Sequence, residues 1–254
     1  MIFQHVHPNL SRRAFLNSRL VFSAVALAGC ATQIPIVGQD GNPVETAPKK
    51  ELFNFPTAPI SMEEVDPAIA YAALQDGEFL IPAVPYKKID QQFLRQMVPD
   101  PTGEAAGTLV VVTSEHHLYY TMPGGFAMRY GVGLGKQGFE WTGEGVVQRK
   151  AVWPRWHPPA EMILRKPELK EFETTFDKKT NSWVGGMAGG LLNPLGARAH
   201  YIYQGEVDTQ YRLHGSPEWN SIGKSVSSGC VRLINQDVVD LYDRVSEGTR
   251  VIVR

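Results

Sequence analysis

The sequence predicts a mainly β domain with one α-helix near its end, preceded by a segment of different character. Three observations predict it. From Gly107 onward, short β-branched and apolar runs alternate with turn residues. Close to the end, Val238, Leu241, Tyr242 and Val245 recur at helical spacing on one face. Ahead of that region, ten of the 18 prolines lie between Pro35 and Pro101. Their missing backbone donors rule out a continuous sheet or a long helix there.

Residues 1–30 read as an address. They hold Arg12, Arg13 and Arg19 but no Asp or Glu, and an apolar run follows from Leu20 to Ala28. A basic start, a short apolar stretch and small residues at its end describe an export signal. The run is too short to span a bilayer comfortably. Ser11-Arg12-Arg13-Ala14-Phe15-Leu16 resembles a twin-arginine signal, and Leu27-Ala28-Gly29-Cys30 resembles a lipobox, in which Cys30 becomes the lipid-modified first residue. The expected location is the periplasm or cell envelope, with a lipid at Cys30 as the membrane anchor.

Residues 31–106 form the second division, a Pro-rich tether and N-terminal extension. Residues 31–59 read as tether. A turn or two of helix is expected within Met62–Gln75, with Ser61 as its cap and Val65, Ile69, Ala72 and Ala73 as a weak apolar stripe. The segment is read as a spacer that wraps the next domain.

Residues 107–254 form the third. Thr108–Ser114, Leu118–Thr121 and Phe126–Val132 are expected strands, with Pro123-Gly124-Gly125 turning between the last two. Ala199–Tyr203, Thr209–Leu213 and Thr249–Val253 are further expected strands. Asn235 is the expected N-cap of the late helix and Gly248 suits its stop.

Composition narrows the function. With 25 Lys and Arg against 26 Asp and Glu, the chain lacks the basic excess that phosphate binding needs, so nucleic acid is not the expected partner. Two cysteines, Cys30 and Cys230, cannot build a disulfide scaffold or a four-cysteine metal knuckle. His116, His117, His157, His200 and His214 show no metal-ligand spacing, so no metal is expected. Gly131-Val132-Gly133-Leu134-Gly135-Lys136 lacks both complete phosphate-loop spacings and reads as strand ends and turns. Trp153, Trp156 and Trp183, with Pro154, Pro158 and Pro159, fit either core packing or a glycan groove.

Chemistry concentrates near the end. If Cys30 carries lipid, Cys230 is a lone thiol in an oxidising compartment, a liability unless it is used. A nearby imidazole can lower a thiol pKa and accept its proton, and His214 lies 16 residues upstream. Gly229 permits close backbone approach just before Cys230, so N–H groups around Ser228–Cys230 can face a developing oxyanion. No acid adjoins His214, which leaves a backbone carbonyl as the simplest group to orient it. An inert buried cysteine and a strand-end histidine fit this spacing as well.

The longer pattern decides between them. His214-Gly215-Ser216, a loop containing Ser221-Ile222-Gly223, Ser227-x-Gly229-Cys230-Val231-Arg232-Leu233 and Asn235-x-Asp237-Val238 together closely resemble the L,D-transpeptidase catalytic domain (YkuD-type) family. Gly131-Val132-Gly133, Trp153-Pro154, Pro158-Pro159-x-x-Met162-Ile163 and Asn193-Pro194-Leu195-Gly196 support it, over roughly residues 107–254. The resemblance implies a sandwich-like fold, Cys230 as nucleophile, His214 as general acid and base, and the Gly215 carbonyl as the group holding His214. It implies an oxyanion and substrate site around Ser227, Ser228 and Gly229. Arg232 matches a motif arginine that either holds a substrate carboxylate or braces the loop by an ion pair. Ser228 stands where the family often has His, and Ser216 where Thr is common. The implied substrate is the peptidoglycan stem peptide, with another stem peptide, an outer-membrane protein amine or water as acceptor and no cofactor. The alternative from another class is a non-catalytic cell-wall-binding lipoprotein.

Overall fold

The computed structural model describes residues 65–136, 141–227 and 229–254, all within one compact unit, Thr57–Arg254. The export signal, Cys30, the tether, the Ser61 cap and Ser228 lie outside the described residues.

The extension comes first. A single helical turn, α1 (Pro67–Ala70), is capped by Asp66, whose carboxylate accepts from the Ala68 N–H at 2.8 Å. Pro67 suits the first helical position because its absent N–H would be unpaired there anyway. The single turn is the shorter of the one or two turns expected, and β1 (Leu74–Asp76) and β2 (Phe79–Ile81) follow as a small hairpin. The expected stripe is corrected. Ile69, Ala72 and Ala73 are exposed, and the residue this turn buries is Tyr71. Two short 3-10 turns lead to β3 (Gln96–Pro99).

Residues 107–254 then build a mainly β body. It holds β4 (Leu109–Val112), β5 (His117–Met122), β6 (Phe126–Gly131), β7 (Leu134–Gly135) and β8 (Gly143–Val152). A six-residue helix, α2 (Ala160–Arg165), and the hairpin β9 (Thr175–Asp177) and β10 (Ser182–Val184) come next. The chain closes with β11 (Arg198–Gln204), β12 (Val207–Ser216), β13 (Ser225–Ser227), β14 (Val231–Ile234), α3 (Asn235–Arg244) and β15 (Arg250–Val253). Nine strands form one sheet in the order β14-β12-β11-β8-β15-β4-β5-β6-β3. β12/β14 and β15/β4 are parallel pairs and the other neighbours are antiparallel.

The sheet folds back on itself. β14, at one end, bridges Gly133, two residues beyond β6 at the other end, through reciprocal bonds of 2.9 and 2.8 Å between Gly133 and Arg232. One core therefore lies between the two halves, which gives the sandwich-like form. Leu109, Val111, Leu118, Met128 and Tyr130 meet Ile202, Leu213, Val231 and Leu233 there, with Val238, Leu241 and Val245 of α3 added. The helix face expected from the sequence is thus the buried one. Asn235 is corrected from cap to first helical residue, with Ile234 as the N-cap. Its side-chain oxygen instead accepts from the Ala197 N–H at 3.0 Å. Gly196 and Gly215 leave room for it: a Cβ at either would lie 2.2 or 2.3 Å from that oxygen.

Candidate active site

Sheet register sets the site. In the parallel pair β12/β14, Leu213 faces Val231 and His214 faces Arg232. Leu213 and Val231 point into the core, so by the two-residue alternation His214 and Arg232 share the opposite face. Cys230 immediately precedes β14, and its sulfur lies 3.8 Å from the Gln210 carbonyl of β12. The β12/β14 pairing thus sets the sequence-predicted base and nucleophile on neighbouring chain segments, two positions apart in register.

His214 is buried, at 5% exposure, and its Nδ1 lies 2.6 Å from the Gly215 carbonyl oxygen. A carbonyl only accepts, so Nδ1 carries the proton and donates, leaving Nε2 with its lone pair. Burial, with smaller contributions from the Arg232 and Arg212 charges, overcomes the Gly215 bond and lowers the His214 pKa to about 4. Burial also pushes the Cys230 thiol up, against the Arg212 N–H bond to sulfur and the Arg212 and Arg232 charges. Burial thus leaves both the thiol and the imidazole uncharged at neutral pH.

Cys230 sits in a tight turn. Gly229 has φ +126°, in the left-handed half of backbone space that glycine tolerates. The buried Ser227 hydroxyl donates to the Cys230 carbonyl at 2.7 Å and accepts from the Gly229 N–H at 3.3 Å. Ser227 is thus engaged inside the turn. The turn is zipped to the glycine-rich segment: β13 pairs in parallel with β7, and the Lys136 N–H donates to the Ser227 carbonyl at 3.0 Å. That segment spends its glycines on packing. A Cβ at Gly131 would lie 2.4 Å from the Phe93 carbonyl oxygen, and one at Gly133 2.7 Å from the Ser221 carbonyl oxygen.

Arg232 forms an ion pair with Glu218 at 2.7 Å, on the loop between β12 and β13. His200, on the core face beside Tyr242, is fully buried, and burial lowers its pKa to about 4. Trp153 packs on Phe79 with ring centroids 4.3 Å apart, and Trp156 bridges Met187 through the backbone. The Trp183 side chain lies outside the described residues. Among the described residues, no group of three or more His, Cys, Asp or Glu is placed to hold a metal ion.

Several site residues were missed by sequence reasoning. The Gln210 carbonyl lies 3.8 Å from the Cys230 sulfur, and Gln210 has φ +61° at a bulge in β12. Asp208 pairs with Arg212 through two bonds of 2.6 and 2.7 Å. Tyr201 lies under Arg149 and Arg212, with guanidinium carbons 3.6 and 4.5 Å from its ring centre. No sequence motif marks these residues, and Tyr201 and Arg149 join Arg212 only through cross-strand register.

The sequence profile of the L,D-transpeptidase catalytic domain (YkuD) matches residues 106–253, more than half of the chain. The chain belongs to the L,D-transpeptidase catalytic domain family. Among curated relatives, the Probable L,D-transpeptidase ErfK/SrfK of Salmonella typhimurium is 32% identical over 75% of this chain and 54% of its own length. The Probable L,D-transpeptidase YcfS of Escherichia coli is 29% identical over 85% of this chain and 60% of its own. The chain thus spans little more than half the length of these curated relatives. One solved structure, titled a probable carnitine operon oxidoreductase from Brucella melitensis, is 43% identical over 67% of this chain and 99% of its own, with a TM-score of 0.42. L,D-transpeptidase 3 from Mycobacterium tuberculosis is 15% identical over 58% of this chain and 60% of its own, with a TM-score of 0.39. The L,D-transpeptidase profile spans both His214 and Cys230 and extends through α3 and β15.

Proposed function

We propose that this protein is a peptidoglycan L,D-transpeptidase that works by acyl transfer through Cys230. The observation that carries the reading is the neutral His214, fixed by Gly215, on the strand that pairs with the one Cys230 leads into. His214 Nε2 takes the thiol proton as sulfur attacks the carbonyl of the third stem-peptide residue. The tetrahedral intermediate collapses, its C–N bond breaks, and the terminal D-alanine leaves with the proton that His214 returns. The thioester is then opened by an acceptor amine, whose proton passes to His214 as sulfur leaves. An oxyanion donor is worth about 3 kcal/mol in such sites. With the Gly229 N–H turned to Ser227, the Cys230 N–H takes that role, and Ser228 and Gly229 shape the backbone that presents it.

The Arg232–Glu218 ion pair supports bracing of the loop as the role of Arg232. An acceptor stem peptide gives 3→3 cross-links, an outer-membrane protein amine gives attachment, and water gives an L,D-carboxypeptidase. On the same reading the protein belongs to the envelope, exported by residues 1–30 and anchored through lipid on Cys30, with residues 31–59 as tether.

The test is incubation of the protein with disaccharide-tetrapeptide muropeptides, read by mass, with Cys230→Ser as control. A cysteine-dependent dimer lacking one D-alanine is expected. Cysteine-dependent tripeptide without dimer would make water the acceptor. Unchanged muropeptides would favour the cell-wall-binding lipoprotein.

A further inference from the structure

A row of three side chains crosses three neighbouring strands, and Cys230 stands in line with it. Arg149 of β8 and Arg212 of β12 both register with Tyr201 of β11, and Cys230, just before β14, comes one position ahead of the Leu213–Val231 pair. The opposite face of the same strands meets α3, where the Lys150 ammonium donates to the Tyr242 and Val245 carbonyls. The row is therefore separate from the core. Tyr201 is only 8% exposed, beneath the two guanidinium groups.

The charges in the row are not equally spent. Arg212 is taken by Asp208, and Arg232 by Glu218. Arg149 is exposed and its charge acts on Asp208, but both carboxylate oxygens of Asp208 bond Arg212 directly. Its guanidinium is nevertheless held, flat against an aromatic ring at 3.6 Å. Stacking of this kind orients the planar donor fork in advance and reduces the freedom lost when it meets a carboxylate. Backbone irregularities flank the row at the same level. Pairing shifts between Tyr201 and Ile202 toward β8, and between Tyr201 and Tyr203 toward β12. Bulges beside active sites re-aim side chains.

Distance suits a substrate group. Neighbouring strands are about 4.8 Å apart, so a guanidinium folded over Tyr201 sits roughly 10 Å from the thiol's strand. An extended peptide covers this in about three residues, and a carboxylate at the end of a long side chain of the acylated residue, or of the residue before it, covers it in fewer.

We propose that Arg149, held over Tyr201, binds a carboxylate on the acyl side of the scissile bond and makes the enzyme prefer an acidic donor stem over its amide. This rests on the stem-peptide reading of the site. The carboxylate belongs either to the second stem residue or to the side chain of the third.

The full chain bearing Cys230→Ala, which binds without turnover, separates the cases by calorimetry. Three disaccharide-tetrapeptides serve as probes: the fully acidic form, the form amidated at residue two and the form amidated at residue three. Arg149→Gln is expected to weaken binding of the acidic form about tenfold, the scale of one charge-assisted contact. It is expected to leave one amidated form, already weakened, unchanged, and that form identifies the carboxylate. Arg149→Lys restores part of the affinity, and thermal melting checks that each variant is folded. An equal loss for all three probes, or no loss at all, overturns the proposal. If the Cys230→Ala protein binds none of them and the intact protein leaves them unchanged, the stem-peptide reading itself fails. Binding that ignores Arg149 overturns only the present inference.

Discussion

At the scale of single residues, the site depends on burial more than on charge. Both His214 and Cys230 are held neutral, so the thiolate forms during attack rather than before it. His214 serves as a base only when unprotonated, and its pKa is lowered from 6.5 to about 4. The acid limb of kcat/KM should therefore fall near pH 4, and activity should persist through pH 5 to 6. A limb near 6.5 would show that the imidazole is not in this environment. Ser227→Ala removes the donor to the Cys230 carbonyl. We expect kcat to fall between about tenfold and 100-fold with KM little changed, the scale of a small misplacement of reacting groups. Steady-state kinetics on a muropeptide donor would test it, and a loss confined to KM would contradict it. Glu218→Gln tests the bracing role of Arg232: loosening should lower melting temperature and kcat together, whereas a freed carboxylate clamp would lower KM. Cys230, His214 and its carbonyl partner Gly215 were legible as candidates because they lie along one motif, with the cysteine 16 positions after the histidine. Arg149, Tyr201 and Arg212 were not, because they are neighbours only across strands.

At the scale of elements, α3 is tied to the extension through a buried polar cluster. The Tyr71 hydroxyl donates to Asp237 at 3.1 Å, and Arg95 approaches Asp240 at 3.3 Å and Asp237 at 3.9 Å. Asp240 also accepts from Tyr130 and pairs with Arg244. Gln236 donates to the Ala72 and Pro82 carbonyls at 3.1 and 2.9 Å. Asp237 has no exposed side-chain surface, and burial, opposed by Arg95 and Tyr71, raises its pKa from 3.8 to about 7. The folded state thus binds this proton more tightly than the unfolded chain does. Its contribution to stability is complete below pH 3.8 and is lost as pH rises to about 7, a span on the order of 4 kcal/mol. Asp237→Asn should remove this part of the decline, and melting curves from pH 4 to 8 would show it; an unchanged slope would count against the assignment. The sequence revealed β4, β5, β6 and α3 because each keeps its apolar period to the end. It did not reveal β8, where the bulge beside Tyr201 shifts the alternation midway and Arg149 and Lys150 follow directly. Nor did it reveal β14, whose four residues read as part of the cysteine motif.

At the scale of the whole molecule, the family match and the folded body have different limits. The match begins at residue 106, yet β3 of the extension forms the last strand of the nine-stranded sheet, against β6. Asp76 of the extension holds Arg198 by two bonds of 2.6 and 2.9 Å. Tyr71 and Leu94, with Val84, Tyr86, Ile89 and Phe93 beside them, pack against Trp219 and Ile222 upstream of Cys230 and against Ile234 downstream. Phe93 fits because residues 131 and 223 are glycines; a Cβ at Gly223, where φ is +76°, would lie 2.4 Å from its ring. The extension therefore clamps both ends of the loop that carries the nucleophile. Fully burying a large apolar side chain stabilises by about 1.5–3 kcal/mol. Tyr71, Ile81 and Leu94 together then contribute about 5–9 kcal/mol, comparable with the 5–15 kcal/mol net stability of a typical domain. A chain restricted to residues 106–254 should accordingly be insoluble or melt at least about 10 °C lower, although it contains every matched catalytic residue. Phe93→Ala in the full chain is the milder probe. It keeps β3 and the ion pairs but empties the wedge between Gly131 and Gly223, so kcat should fall further than stability alone explains, because Trp219–Lys224 leads directly into β13 and the cysteine turn. If the 106–254 chain melts and turns over like the full one, the extension is only a tether with a decorative fold, and the clamp does not exist.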